Sequence, residues 1–136
     1  MTVFVDSGPL RAFVSPKDQF YKDTLQIAKL LTKQNTRLIT TDYIISEVFT
    51  GLVTDPKGRY YQAQKFDEQI LQKKIVDIEW ITQDRFFQAK SVLLKFSRDK
   101  RWSFTDCVSY VIMKELKIKT AFTFDEHFEQ MGFTLL

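Results

Sequence analysis

The chain has 136 residues, of which 44% are hydrophobic and 15% aromatic, and it carries a net charge of +3. This composition excludes a disordered tail and is enough for one domain with a substantial core. The single cysteine, Cys107, excludes an internal disulfide, and with only one histidine the usual ligands of a zinc site are missing. We see no signal-peptide pattern and no apolar run of membrane-spanning length, so we expect a cytoplasmic protein with no membrane partner.

The first predicted elements are a strand followed by helical turns. Residues 3–5 form a short apolar strand that ends at Asp6, and residues 10–14 form one or two helical turns. Residues 15–16, a serine followed by a proline, predict the cap and first turn of a longer helix. Apolar residues at helical spacing continue this helix, and Asn35 is a suitable left-handed stop.

In the middle of the chain a strand is followed by two helices and a second strand. Residues 38–40 form the strand, and residues 41–42 supply the cap of the next helix. A turn at residues 55–58 precedes a helix over residues 60–70 that places apolar side chains on one face. Residues 76–80 alternate between apolar and acidic side chains, which predicts a half-exposed strand.

The last third of the chain repeats the alternation. Thr82 caps one helix and Ser103 opens another, and residues 121–124 form a strand that stops at an aspartate. Gly132 turns the chain into a last strand, residues 133–136. Short strands that alternate with helices predict a single α/β domain, with a short, mostly parallel central sheet and helices on both faces.

Four acidic residues carry the strongest chemical signal. Asp6 and Asp125 directly follow predicted strands, and the carboxyl ends of parallel strands are where functional groups collect. Asp106 lies in the first turn of a helix, and Glu47 lies on an otherwise apolar helix. Taken singly, each aspartate has an ordinary interpretation as a turn or helix cap, and Glu47 has one as a solvated helix residue. The ordinary interpretation weakens if all four lie at one end of the sheet.

Four carboxylates in one place need a cation or protons. Two of them 4 Å apart repel each other by about 4 kcal/mol at an effective dielectric of 20. Ligands that are all oxygen select hard cations such as Mg²⁺ or Mn²⁺, and such a site best supports hydrolysis of a phosphodiester. The hydroxyls of Ser7, Thr105 and Thr123 are expected either to orient these acids or to make local turn hydrogen bonds.

Three segments of the chain resemble the motifs of PIN-domain proteins, specifically the VapC-like toxins: VFVDSGPL, TTDYIISEVFTGL and SFTDCVSYVIMKELKIKTAFTFDEHFEQMGF. The resemblance runs from Val3 to Leu136 and implies one PIN domain over residues 1–136. In that family a first aspartate, a glutamate and two later aspartates hold the metal, and the matching residues are Asp6, Glu47, Asp106 and Asp125. Thr123 matches the serine or threonine that the family has two residues before the last aspartate. The resemblance implies cleavage of RNA that depends on a divalent metal, frequent homodimers, and inhibition by a cognate antitoxin.

Several other residues are candidates for RNA contact. They are basic or aromatic side chains near the acids in sequence, namely Arg11, Arg98, Lys100, Arg101 and Trp102. The alternative is a basic helix end that suits the helix dipole, with the tryptophan packed beneath it. His127 is expected either to transfer protons or to fix the turn after Asp125, and Cys107 is expected in the core.

Three functions from different classes fit the sequence to different degrees. The first is a Mg²⁺- or Mn²⁺-dependent endoribonuclease, the toxin of a type II toxin–antitoxin pair. The second is a non-catalytic module of the same fold that binds RNA or protein. The presence of all four acids argues against this second function. The third is a response-regulator receiver, which needs a phosphoacceptor aspartate after a middle strand and a lysine after a late strand. Glu47 is helical and no late strand ends in lysine, so the receiver ranks last.

Overall fold

The computed structural model describes residues 1–136. Its five strands are β1 (Thr2–Val5), β2 (Arg37–Thr41), β3 (Asp77–Glu79), β4 (Thr120–Phe122) and β5 (Thr134–Leu135). Its seven α-helices are α1 (Ser7–Phe13), α2 (Tyr21–Lys33), α3 (Asp42–Val53), α4 (Tyr60–Phe66), α5 (Gln83–Lys100), α6 (Phe104–Glu115) and α7 (His127–Gln130). Helix α4 continues into a π-helical segment at Asp67–Leu71. None of the helices combines the length and the apolarity that a membrane-spanning segment requires.

All neighbouring strands are parallel, in the order β3-β2-β1-β4-β5. The chain moves from β1 through β2 to β3 in one direction and then crosses to β4 and β5 on the other side of β1. Right-handed crossovers therefore place α1–α4 on one face of the sheet and α5–α7 on the other. The contacts agree, because α1 packs on α2 and α3, whereas α6 packs on α5 and α7. The predicted single α/β domain with helices on both faces is confirmed.

The core fills both faces of the central strand. Val3 and Phe4 are fully buried because β1 has a neighbour on each side and helices on both faces. The rings of Phe4 and Phe128 lie 6.2 Å apart on one face. Cys107 is also fully buried, and burial raises the pKa of its thiol, which fits its predicted place in the core.

The residues predicted to begin or end helices and strands are largely confirmed. The side chains of Thr41, Thr82 and Ser103 accept hydrogen bonds from the first turns of α3, α5 and α6, as N-caps do. Asn35 has a φ of 54° just after α2, and Gly132 has a φ of 94° before β5. These residues act through their own backbone or side chain, so the sequence alone was sufficient to place them.

The prediction that a helix starts at residues 15–16 is wrong. The Asp18 amide donates to the Ser15 carbonyl oxygen at 2.9 Å, and the Tyr21 amide donates to Asp18 at 3.0 Å. These two turns delay α2 until Tyr21. Helix α1, by contrast, starts earlier than predicted, at Ser7, because the Asp6 carboxylate accepts from the Ser7 amide.

Two other predicted elements are shorter than expected. Strand β4 ends at Phe122, because the Thr123 hydroxyl accepts from the Asp125 amide at 3.0 Å and closes a turn. Asp125 therefore follows β4 after two intervening residues instead of directly. Tyr60 does not join the inward face of its helix, since it is 66% exposed, and Trp80 lies outside β3 at 65% exposed.

Candidate active site

Asp6 lies at the topological switch point of the sheet, where the strand order reverses on either side of β1. It directly follows β1, and its amide donates to the carbonyl oxygen of Phe122 at 3.0 Å, so the end of β4 lies beside it. The chain leaves β1 towards β2 on one side, and β4 lies on the other, which is the arrangement that opens a crevice in α/β sheets. The Thr123 hydroxyl donates to Asp6 Oδ2 at 2.8 Å, and the Ser7 amide donates to Oδ1 at 2.8 Å.

Asp106 enters the same crevice from the start of α6. It forms a capping box with Ser103, in which Asp106 Oδ2 accepts from the Ser103 amide at 3.0 Å and Ser103 Oγ accepts from the Asp106 amide at 3.0 Å. The ordinary interpretation of Asp106 as a cap is therefore correct as far as it goes. However, Oδ1 makes no hydrogen bond within the protein, so one carboxylate oxygen is available to a ligand.

Glu47 faces the crevice from α3. Its Oε1 accepts from the Ser7 hydroxyl at 2.6 Å, which ties the glutamate to the residue after Asp6. The remainder of the side chain is exposed to solvent. This acid therefore lies at the open side of the crevice, whereas Asp6 lies at its base with 8% exposure.

Asp125 and His127 complete a tight group with Asp106. The backbone amide of His127 donates to Asp125 Oδ1 at 2.9 Å, so the Asp125 carboxylate closes the turn and His127 contributes only its backbone to it. Its Nδ1 also lies 3.1 Å from Asp106 Oδ2 and 3.4 Å from Asp125 Oδ1, a contact that the sequence did not indicate. Ligand atoms of these three residues lie within 4.8 Å of one another, and Asp6 and Glu47 lie outside that tighter group.

The four acids line one cleft of about 720 Å³, and the only basic side chain in contact with them is His127, which touches Asp106 and Asp125. Three arginines line it too, but no arginine or lysine nitrogen lies within 4.0 Å of any of the four carboxylates. The pKa of Asp6 is raised to about 6, chiefly by burial and in smaller part by the charges of Asp106 and Glu47, against the hydrogen bonds from Thr123 and Ser7, which lower it. Apart from His127, the protein therefore places no cationic side chain in contact with this group of acids.

Residues 3–134 match the PIN domain. The chain belongs to the PIN-domain family.

This PIN domain is similar to several VapC proteins. It is 28% identical over 120 residues to a VapC ribonuclease of Archaeoglobus fulgidus. The aligned residues cover 88% of this chain and 74% of that protein. It superposes with a TM-score of 0.81 and 25% identity on Mycobacterium tuberculosis VapC20, a toxin described as cleaving the sarcin–ricin loop, over 97% of this chain and 96% of that one. Rickettsia felis VapBC2, solved with a fragment of promoter DNA, shares the fold at a TM-score of 0.68 and 15% identity, over 100% and 98% of the two chains.

The side chains predicted to support the acids divide into two groups. The hydroxyls of Ser7 and Thr123 donate to Glu47 and Asp6, respectively. The hydroxyl of Thr105 makes no hydrogen bond to any of the four acids, and Thr105 lies in a neighbouring groove.

The predicted RNA contacts also divide. Arg11 and Arg101 line the cleft of the PIN domain, whereas Arg98 and Lys100 are exposed outside it. The stacking role predicted for Trp102 is contradicted, because Trp102 is 4% exposed and packs against Phe96 and Tyr110. Its ring faces are covered, so no base can reach them.

Some cleft residues were not predicted from the sequence. Asp55 and Arg59 form an ion pair at 3.4 Å in the cleft wall. Their spacing of four residues is a possible signal, but Pro56 and Gly58 between them indicate a turn instead of a helix. Gly51 was also not predicted as a cleft residue. A Cβ there would lie 3.1 Å from Arg11 Nη1, so the glycine leaves room for that arginine.

Removal of the α6 cap is expected to affect both stability and the site. In Ser103→Ala the Asp106 amide loses its acceptor, so the free energy of unfolding should fall by about 1 kcal/mol. The Asp106 side chain should also lose its fixed position, which lowers any activity that depends on it. Urea unfolding measures the first effect, with Thr82→Ala, the cap of α5, as a matched control that should cost a similar free energy without affecting the cleft. Full stability in Ser103→Ala would contradict the capping role.

Proposed function

We propose that this PIN domain, residues 1–136, is an endoribonuclease that depends on Mg²⁺ or Mn²⁺ and hydrolyses RNA phosphodiesters. The observation that carries the proposal is the convergence of Asp6, Glu47, Asp106 and Asp125 on one cleft in which no arginine or lysine pairs with them. The likeness to a VapC ribonuclease and to a loop-cleaving VapC toxin supports the same activity.

The donor set of the cleft suits a hard dication. Carboxylate oxygens are the ligands that Mg²⁺ and Mn²⁺ prefer, and the raised pKa of Asp6 reflects burial first and repulsion by neighbouring acids second, a cost that a cation relieves. We assign the four acids as the residues that would hold the metal. When bound, such an ion supplies a water of lowered pKa and neutralises charge during in-line attack on phosphorus.

Other side chains of the cleft have supporting roles in this proposal. Thr123 and Ser7 hold Asp6 and Glu47 in place through their hydroxyls. His127 contacts the other two acids, Asp106 through its Nδ1 and Asp125 through its backbone amide. Arg11, Arg59 and Arg101 line the same cleft, and in this proposal they contact phosphates of the RNA.

A partner protein belongs to the same proposal. We infer that the chain is the toxin of a type II pair, inhibited by a cognate antitoxin, and that it forms a homodimer. The VapC ribonuclease and the VapC20 toxin support the toxin part of this inference, and the Rickettsia felis VapBC2 structure supports the antitoxin part. The neighbouring reading frame tests it, since a short upstream gene for a DNA-binding protein that copurifies with this chain is the expected result.

Cleavage of RNA under metal titration tests the enzymatic part. Purified protein should cut total RNA and a structured synthetic RNA in Mg²⁺ or Mn²⁺, and excess EDTA should abolish the cleavage. Products should be mapped by primer extension to establish internal cuts. Cleavage that persists in EDTA would reject the metal site. Binding of RNA without cleavage, across metals and substrates, would instead support the non-catalytic module.

A further inference from the structure

The cleft contains one accessible apolar surface, which Phe20 and Phe124 form. Only three of the 18 residues that line the cleft are hydrophobic, and the third, Leu52, is 1% exposed. Phe20 and Phe124 are both partly exposed. A ligand in this polar cleft can therefore make apolar contact only with this pair of rings.

The two rings form a fixed, flat stack. Their centroids lie 4.2 Å apart and their planes differ by 13°. Phe122 backs Phe124 edge-on at 6.0 Å, and a Cβ at Gly8 would lie 3.3 Å from the Phe124 ring, so the absence of a side chain there leaves space for it. The Phe20 amide donates to Asp18 Oδ1 at 2.9 Å, which fixes the segment that carries the outer ring. The stack is therefore held in place before any ligand arrives.

The stack lies next to the acids. Phe124 is the residue between Thr123, which holds Asp6, and Asp125. Arginines line the same cleft and suit the phosphates of a nucleic acid. Carboxylates, arginines and a flat apolar surface together match the phosphates and bases of one nucleotide strand better than they match an apolar peptide.

We propose that Phe20 and Phe124 form a stacking platform for a nucleobase adjacent to the cleaved phosphodiester. The platform rests on the proposed function, because it assumes RNA in the cleft. Stacking on an aromatic ring accepts any base, but the base must first leave its neighbours. The platform therefore directs cleavage to unpaired RNA, in a loop, bulge or single strand.

Substitution of Phe20 tests the platform. Phe20→Leu keeps an apolar side chain but removes the aromatic face, and it removes no helix cap, because the Phe20 side chain makes none. We expect kcat/KM on a short single-stranded RNA to fall roughly five- to hundredfold, mostly through KM. Phe20→Trp should restore it. Phe87→Leu, at an exposed phenylalanine of α5 outside the cleft, is the matched control and should cleave like wild type.

Abasic nucleotides identify the base. An abasic residue moved along the substrate should weaken cleavage strongly at one position next to the cut in wild type, but hardly at all in Phe20→Leu, because the stacking partner is already absent. Equal cleavage by Phe20→Leu and wild type, or equal abasic profiles, would overturn the platform. Such profiles would also be the outcome if the rings served to bind a protein partner.

A readout without cleavage separates this proposal from the nuclease itself. In an Asp106→Asn background, an RNA that carries 2-aminopurine should gain fluorescence on binding, because the base leaves the neighbours that quench it, and the gain should disappear when Phe20→Leu is added. A gain that depends on Phe20 supports the platform even if no metal produces cleavage, which would overturn the nuclease alone. Cleavage with a gain that does not depend on Phe20 would overturn the platform alone.

Discussion

Asp6→Asn is expected to reduce cleavage of RNA by at least about a hundredfold. Loss of residues that merely orient a metal ligand typically costs about ten- to a hundredfold, and Asp6 is proposed as a ligand itself. Asparagine keeps the size of the side chain and can still accept from the Ser7 amide, so the geometry at the end of β1 should survive. Initial rates on a fluorogenic RNA, measured over a range of Mn²⁺ concentrations, provide the test.

A surface aspartate provides the control for this experiment. Asp99→Asn removes a carboxylate from the exposed end of α5, outside the cleft, and should cleave RNA at the wild-type rate. A higher Mn²⁺ concentration should partly rescue Asp6→Asn if the defect is metal affinity. Wild-type rates in clean preparations of Asp6→Asn would show that Asp6 holds no catalytic metal.

The same substitution should stabilise the protein when metal is absent. The pKa of Asp6 is raised from its ordinary value of 3.8 to about 6 in the folded state, chiefly by burial. Below pH 4 the carboxyl is protonated in both states and costs nothing. Between pH 4 and 6 the unfolded state loses the proton first, so stability falls as the pH rises. Above pH 6 the full cost is about 3 kcal/mol, from 1.36 kcal/mol for each pKa unit.

Urea unfolding in EDTA at several pH values measures this cost. Asp6→Asn should be more stable than wild type by up to about 3 kcal/mol at pH 7, less whatever hydrogen bonding the amide fails to replace, and the two should converge near pH 4. Asp99→Asn should follow the wild-type pH dependence. Added Mn²⁺ should stabilise wild type more than Asp6→Asn. An Asp6→Asn protein less stable than wild type at pH 7 without metal would contradict the electrostatic cost.

Features encoded by neighbours in sequence were predictable, and features that depend on distant packing were not. Thr41 and Ser103 act on amides a few residues away, so their caps follow from sequence. The position of Asp6 after β1 is likewise predictable, because parallel strands share their carboxyl edge. The contact of His127 with Asp106 spans 21 residues of sequence and arises from the packing of α7 against α6, which no local pattern specifies.

The error at Trp102 has the same origin. A tryptophan among basic residues resembles an exposed RNA contact, but the aromatic cluster of Phe96 and Tyr110 covers it in the folded chain. That cluster joins α5 to α6 across many residues. The cleft residues of the segment that follows Asp55 could not be predicted either, because a turn with proline and glycine does not indicate which side chain points into a cleft.

The buried tryptophan couples two parts of the cleft mechanically. Trp102 Nε1 donates to Gln130 Oε1 at 3.1 Å, which fastens the residue before Ser103 to the last residue of α7. The two segments that carry Asp106 and His127 are thereby joined at a point remote from the acids. Loss of the indole is therefore expected to loosen the contact between these two segments without any change in Asp106 or His127 themselves.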